Sequence, residues 1–156
     1  MNPAKRIAIV SLGALGIAAS TVAVTPLASA ASSANTAISA RQANFKKMGG
    51  AMKALKDELS GSDDKAKMLA AAKTIAAVSR QQVKLFPAGT GPSSGVKTEA
   101  LAVIWTDRAT FDGEAKKLIA EADKLVAAVG TGNAGDQFKA VGATCGSCHR
   151  KFRQEH

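Results

Sequence analysis

Both cysteines of the chain and one of its two histidines lie within five consecutive residues near the C-terminus, in the stretch "CGSCH". Two thiols and an imidazole at this spacing suit three kinds of chemistry. They are a disulfide or dithiol redox pair, part of a metal site, and covalent attachment of haem with an iron ligand beside it. Cys145, Cys148 and His149 are therefore the first candidate functional residues.

The surroundings of this motif favour haem attachment. Redox pairs usually stand at the start of a helix, where the macrodipole lowers the thiol pKa, whereas Phe138 and Val141 predict at least two helical turns ahead of Cys145. Structural zinc needs four ligands, and the second histidine is the last residue of the chain. Two thiols three residues apart can add to the two haem vinyl groups from one helix face, with the next imidazole aimed at the iron. A disulfide remains the alternative expected in an exported protein.

The first thirty residues predict export. A basic start, "MNPAKR", precedes the apolar run "IAIVSLGALGIAASTVAV", and Ala28, Ser29 and Ala30 fit a signal-peptidase site. We expect a signal peptide cleaved after Ala30 and a periplasmic mature protein, residues 31–156. The alternative is an uncleaved membrane anchor, because about 18 apolar residues can just span a bilayer.

The charge and length of the mature chain limit its partners. About 126 residues suffice for one domain, and removing Lys5 and Arg6 from a formal net charge of +9 leaves +7. Export argues against nucleic acid, and the lysines are scattered as on solvated helix faces. An acidic redox protein is the anionic partner that this charge favours.

Apolar periodicity predicts an all-α protein, an antiparallel four-helix bundle. Gly/Pro/Ser-rich breaks at 60–64, 87–95 and 130–135 separate four segments. Alternating steps of three and four residues mark an inward helix face in the first, third and fourth segments. The first such stripe is Ile38, Arg41, Phe45, Met48, Met52, Leu55 and Leu59, the third segment carries one from Leu101 to Val129, and the fourth one from Phe138 to Phe152. Ser62 ahead of Asp63 and Asp64, and Asn133 ahead of Asp136, predict helix starts.

Arg41 breaks the hydrophobic rule on the first stripe. A guanidinium that faces a packed interior needs an anionic partner, and the two propionates of a haem would supply one. The alternative is that the side chain reaches water past the helix end. Arg108 is also on a stripe, and we assign it no role. The adjacent Gly49 and Gly50 cost about 1 kcal/mol each within a helix, which predicts close approach of a neighbouring helix or subunit.

Four stretches resemble class II c-type cytochromes, and most closely cytochrome c′. They are "RQANFKKMGGAMKAL" (41–55), "KLFPAGT" (84–90), "TEALAVIWTDRATF" (98–111) and "GATCGSCHRKFR" (142–153). The resemblance implies a four-helix bundle with one covalent haem c, usually a homodimer through the first and second helices. It also implies that the protein binds small diatomic gases, transfers electrons, or does both.

By position, the resemblance implies haem contacts for nine residues: Arg41, Gln42, Phe45, Thr98, Glu99, Cys145, Cys148, His149 and Arg153. The two cysteines would bind the haem vinyls, His149 would be the proximal iron ligand, and Arg41 with Gln42 would lie at the propionate edge. Arg153 would stand beside the proximal imidazole, and Thr98 and Glu99 would touch the haem edge.

The position of Phe45 decides between two functions. Low-spin relatives place an axial methionine there, whereas an aromatic ring cannot bind iron and leaves it five-coordinate and open to nitric oxide or carbon monoxide. An apolar distal wall disfavours stable oxygen carriage. Met48 and Met52 lie on the same stripe, so a six-coordinate electron carrier stays open as the alternative. We expect no enzyme, because a peroxidase needs a distal acid or base such as histidine and the first helix has none.

Overall fold

The computed structural model describes residues 26–155. Most of the predicted signal peptide lies outside these residues, so cleavage after Ala30 stays a prediction. Among the described helices, none combines the length and apolar character needed to cross a bilayer.

Four long helices form the bundle that the stripes predict. They are α1 (Pro26–Ser60), α2 (Lys65–Gln82), α4 (Arg108–Thr131) and α5 (Ala134–Phe152), with a one-turn helix α3 (Val103–Thr106) before α4. Single 3₁₀ turns at Val83–Leu85 and Pro92–Ser94 interrupt the long connection that follows α2. Helix α1 packs on α2, α2 on α4, and α4 on α5, whereas α1 and α5 contact each other only slightly. Short connections between α1 and α2 and between α4 and α5 make those pairs antiparallel.

The third predicted helix is divided into α3 and α4, although its apolar stripe continues across the break. Asp107 leaves the helical conformation with φ −122° and ψ 60°, ends α3, and caps α4 by accepting a hydrogen bond from the Thr110 backbone N–H at 3.3 Å. Ile104 and Phe111 nevertheless both enter the core. The prediction of one helix from Leu101 was wrong because apolar spacing reports which way side chains point and not the backbone hydrogen bonds between them.

Two helix starts differ in detail from the prediction. The N-cap of α2 is Asp64, whose carboxylate accepts hydrogen bonds from the backbone N–H groups of Ala66 and Lys67 at 2.9 and 3.2 Å. Ser62 instead donates to the Glu58 carboxylate. Asn133 stands at the N-cap of α5 as predicted, but its side chain makes no capping hydrogen bond.

The core has two parts. Apolar side chains of all four long helices fill the centre, with Leu55, Ile75, Leu125 and Val141 fully buried. A second cluster at one end is mainly aromatic and consists of Phe86, Ala100, Ile104, Phe111 and Phe152. This cluster supports the loop after α2 and the end of α5, which border the candidate site.

Gly49 and Gly50 do not face a neighbouring helix of the same chain. A Cβ atom added to either would meet no heavy atom within 4 Å. Close approach of another helix of this chain is therefore not the reason for these glycines, and that part of the prediction was wrong. Close approach of a second subunit stays a prediction.

Because of this open space, Gly50→Ala should stabilise the isolated chain. Alanine restricts the unfolded chain and favours the helix, so we expect the free energy of unfolding to rise by about 1 kcal/mol. Denaturant unfolding of monomeric protein measures this, with Gly142→Ala, in an equally open position on α5, as a matched control. A loss of stability in Gly50→Ala alone would contradict the expectation.

Candidate haem site

A single cavity collects every residue that the sequence nominates. It has a volume of about 650 Å³ and lies between α1 and α5, two helices that contact each other only slightly. The nine nominated residues all line it: Arg41, Gln42, Phe45, Thr98, Glu99, Cys145, Cys148, His149 and Arg153. Met48 and Met52 also line it. Most of the remaining wall is apolar, so the cavity suits a large hydrophobic group with a few polar attachments.

The two thiols and the imidazole stand on one side of α5. Cys145 and Cys148 are half-buried free thiols. Burial raises the pKa of both, that of Cys148 to about 11, with the nearby Glu114 charge as a second cause. Burial also lowers the pKa of His149, and the charge of Arg153 lowers it further. Both effects favour the neutral imidazole, which is the form that binds a metal.

Phe45 faces His149 from the opposite wall of the cavity. Their ring centroids are 6.3 Å apart and the ring planes are inclined at 71°. Phe45 also meets Phe86 edge-on at 6.5 Å. It is 37% exposed, more than an inward stripe position predicts, because the ring lines the cavity and is not part of either packed cluster.

Arg41 is held inside the protein and does not reach water. Only 2% of it is exposed, so the alternative that the side chain reaches water was wrong. Nη1 donates to Thr90 Oγ1 at 3.1 Å, and Nη2 donates to the Thr90 carbonyl at 2.8 Å and to Thr98 Oγ1 at 2.6 Å. The guanidinium also lies over the rings of Phe86 and Trp105, 4.7 and 5.8 Å from their centroids. Burial lowers its pKa, and none of these three oxygens neutralises its charge.

The segment that contains Thr98 and Glu99 is joined to the end of α5. Arg153 Nε donates to Glu99 Oε2 at 2.7 Å, and Ala100 and Arg153 form an antiparallel β-bridge. The backbone N–H of Gln154 donates to the Glu99 carbonyl at 2.9 Å. Glu99 and Arg153 thus stand as an ion pair at the rim of the cavity, close to His149.

Sequence reasoning missed three polar residues near the site. Thr90 is 3% exposed and anchors Arg41, yet nothing in its local sequence marks it. Arg108, which we assigned no role, donates to the carbonyl of Phe86, the residue after the 3₁₀ turn Val83–Leu85, at 2.8 Å. Glu114 is 4% exposed beneath α5. Its place one turn after Phe111, on the buried face of α4, was a signal that could have been read.

Comparison with known proteins decides the family. The family model described as cytochrome c′ matches residues 36–153. The chain belongs to the cytochrome c′ family. This confirms the resemblance drawn from the four sequence stretches, and proteins of the family carry one covalently bound haem c.

Individual relatives support the same assignment. A cytochrome c′ of Rubrivivax gelatinosus is 40% identical over 89 residues, 54% of this chain and 69% of the relative. A cytochrome c′ of Allochromatium vinosum is 33% identical over 147 residues, 91% of this chain and 92% of the relative. The solved structure of a cytochrome c′ with a ligand-controlled dimer dissociation matches with a TM-score of 0.74 at 30% identity, over 78% of this chain and 97% of that chain. The predicted four-helix bundle is confirmed.

The residues of the cavity fit the haem c of the family. The volume of about 650 Å³ is within the range of about 300–1,000 Å³ usual for ligand and cofactor sites. The apolar wall suits the macrocycle, the two thiols suit its vinyl groups, and the neutral imidazole suits the iron. Arg41 supplies a buried positive charge that would pair with a propionate. Groups of three or more His, Cys, Asp or Glu arranged for a bare metal ion do not occur among residues 26–155.

Proposed function

We propose that the mature chain is a single-domain periplasmic haem protein whose iron is five-coordinate and binds small diatomic gases. Cys145 and Cys148 would hold the haem covalently, and His149 would be the proximal ligand. The haem supplies an iron centre that can accept one further ligand. The protein side of this proposal rests on the position of Phe45.

The contact between Phe45 and His149 carries the proposal. With His149 as the proximal ligand, a phenyl ring 6.3 Å from the imidazole would occupy the side from which a further ligand approaches. It offers no atom that binds iron and no hydrogen bond to a bound gas. Nitric oxide and carbon monoxide bind haem iron without such a bond, whereas stable oxygen binding benefits from one.

The polar rim has a separate task in this proposal. Arg41 and Gln42 would bind the propionates, since Arg41 is fixed by two threonines and Gln42 Nε2 donates to the Lys97 carbonyl at 3.3 Å. Thr98 and Glu99 would contact the haem edge, and Arg153 would stand beside the proximal imidazole. None of these groups is placed to act as a distal acid or base, so the proposal includes no enzymatic reaction.

Spectroscopy of the purified ferric protein tests the proposal directly. An open sixth position gives a high-spin absorption and electron paramagnetic resonance spectrum, and we expect that spectrum at neutral pH. Added carbon monoxide should then bind the reduced protein fully. A low-spin ferric spectrum would contradict the five-coordinate assignment.

A low-spin electron carrier is the second candidate, and one observation favours it. Met48 and Met52 both line the cavity from α1, the helix that also carries Phe45. A thioether from either would complete six-coordination. Electron transfer would suit an acidic periplasmic partner, given the basic chain. In either case the proposal includes a homodimer formed through α1 and α2.

A further inference from the structure

Glu114 is a buried carboxylate directly beneath the cysteine and histidine turn of α5. It lies on α4, and only 4% of it is exposed. Oε2 accepts a hydrogen bond from Ser147 Oγ at 3.1 Å, and Oε1 accepts one from Lys151 Nζ at 2.9 Å. Lys117 Nζ, on α4 itself, reaches Oε1 at 3.3 Å. The two α5 partners stand immediately before Cys148 and two residues after His149, so they bracket both.

The bonds from Ser147 and Lys151 hold the turn because both are made to one buried carboxylate on another helix. Leaving a buried ionised group without partners destabilises the folded protein far more than leaving an exposed one without partners. The hydrogen bond from Lys151, with smaller effects of Lys117 and Ser147, lowers the Glu114 pKa to about 2. The group is therefore charged throughout the physiological pH range.

The charge of Glu114 also reaches the predicted attachment site. Its hydrogen bonds with Ser147, the residue before Cys148, and with Lys151, two residues after His149, place the carboxylate next to the haem-binding face of α5. The side chains of Lys117 and Lys151 are 66% and 49% exposed, so water screens their charges in part, whereas Glu114 is buried. Water screens the buried negative charge less than it screens the two ammonium groups.

We propose that Glu114 is a positioning residue of the haem site: it fixes the turn from Ser147 to Lys151 against α4 and lowers the reduction potential of the iron bound by His149. This inference rests on the proposed haem site. A negative charge in a poorly screened position stabilises ferric iron over ferrous iron, because the ferric form carries one more positive charge. The same carboxylate thus serves both geometry and potential.

The test compares Glu114→Gln with Glu121→Gln in the haem-loaded protein. Glutamine keeps the size of the side chain and one acceptor oxygen but removes the charge. Glu121 is a matched control, since it also ties α4 to α5 by accepting from Gln137 Nε2 at 2.6 Å, two turns away from the haem-binding turn. In a spectroelectrochemical titration we expect a higher potential for Glu114→Gln and an unchanged one for Glu121→Gln, with thermal stability lowered in both.

A variant expected to shift the reduction potential in the opposite direction separates the effect of the Glu114 charge from the effect of a loosened turn. Lys151→Gln removes the cation that lies closest to Glu114 and leaves the carboxylate less compensated, so the potential should fall. This variant also tests the inference if Glu114→Gln does not accumulate as a folded protein. An unchanged or lower potential in Glu114→Gln, a shift in Glu121→Gln, or an unchanged or higher potential in Lys151→Gln would each overturn the inference. Mass spectrometry of the unsubstituted protein is the separate check: absence of the added haem mass would overturn the proposed haem site itself.

Discussion

Replacing both Cys145 and Cys148 with serine is expected to remove the covalently bound haem and to lower the thermal stability of the bundle sharply. The interior between α1 and α5 is a cavity of about 650 Å³ with a mostly apolar wall. At about 24 cal/mol per Å³ of empty cavity, such a volume would exceed the about 5–15 kcal/mol by which a typical domain is stable. Water entry and movement of the helices reduce this loss, and we expect several kcal/mol.

The measurement is thermal unfolding followed by circular dichroism, with the haem content determined by absorbance. A loss of several kcal/mol corresponds to a fall in Tm of more than about 10 °C for a domain of this size. Ala143→Ser, a small change at an exposed position of α5, is the matched control and should keep both haem and Tm. Wild-type helicity and Tm in a double variant that contains no haem would show that the bundle does not depend on this group.

Local pattern was sufficient for the long helices. On the first stripe, Ile38 and Leu55 are almost completely buried and Met48 is 5% exposed. A 3,4 spacing puts apolar residues on one face of a helix, and burying that face against other helices removes all of them from water. The same spacing could not reveal the break at Asp107. The side chains on either side of Asp107 still point into the core, so the apolar pattern runs on without a gap. Only the backbone angles of Asp107 show that the helix is interrupted.

The candidate site likewise contains residues that the sequence could place and residues that it could not. Cys145, Cys148 and His149 are a local motif, so their common face followed from helix geometry. The partners of Arg41 stand 49 and 57 positions along the chain, at Thr90 and Thr98. A threonine in a loop of glycine, proline and serine carries no sign that it will be buried against an arginine of another helix. Long-range polar contacts of this kind require the folded structure.

The position of Phe45 combines both kinds of information. Its spacing from Arg41 placed it on the correct helix face, and the family resemblance drew attention to its side chain. The structure adds that its ring faces His149 across the cavity while 37% of the residue stays exposed. This partial exposure means that substitution at position 45 changes the cavity wall without removing a core side chain. The position is therefore suited to an experiment on ligand binding that spares the fold.

Phe45→Met is expected to convert the ferric iron from high spin to low spin. Phenylalanine and methionine leave a helix in similar directions and have comparable reach, and the wall at position 45 faces His149. A thioether there would take the sixth coordination position, raise the reduction potential as methionine ligation does in c-type cytochromes, and compete with added gases. If the thioether bond contributes about 1.4 kcal/mol, carbon monoxide affinity falls about tenfold.

Absorption spectra of the ferric protein and carbon monoxide titration of the reduced protein measure these effects. Met48→Leu and Met52→Leu are the matched controls on the same helix, since they replace the other two thioethers that line the cavity with side chains of similar volume. Both should keep the high-spin spectrum. If the unsubstituted protein is instead low spin and becomes high spin in one of these controls, that methionine is the sixth ligand, Phe45 does not guard an open site, and the chain is an electron carrier.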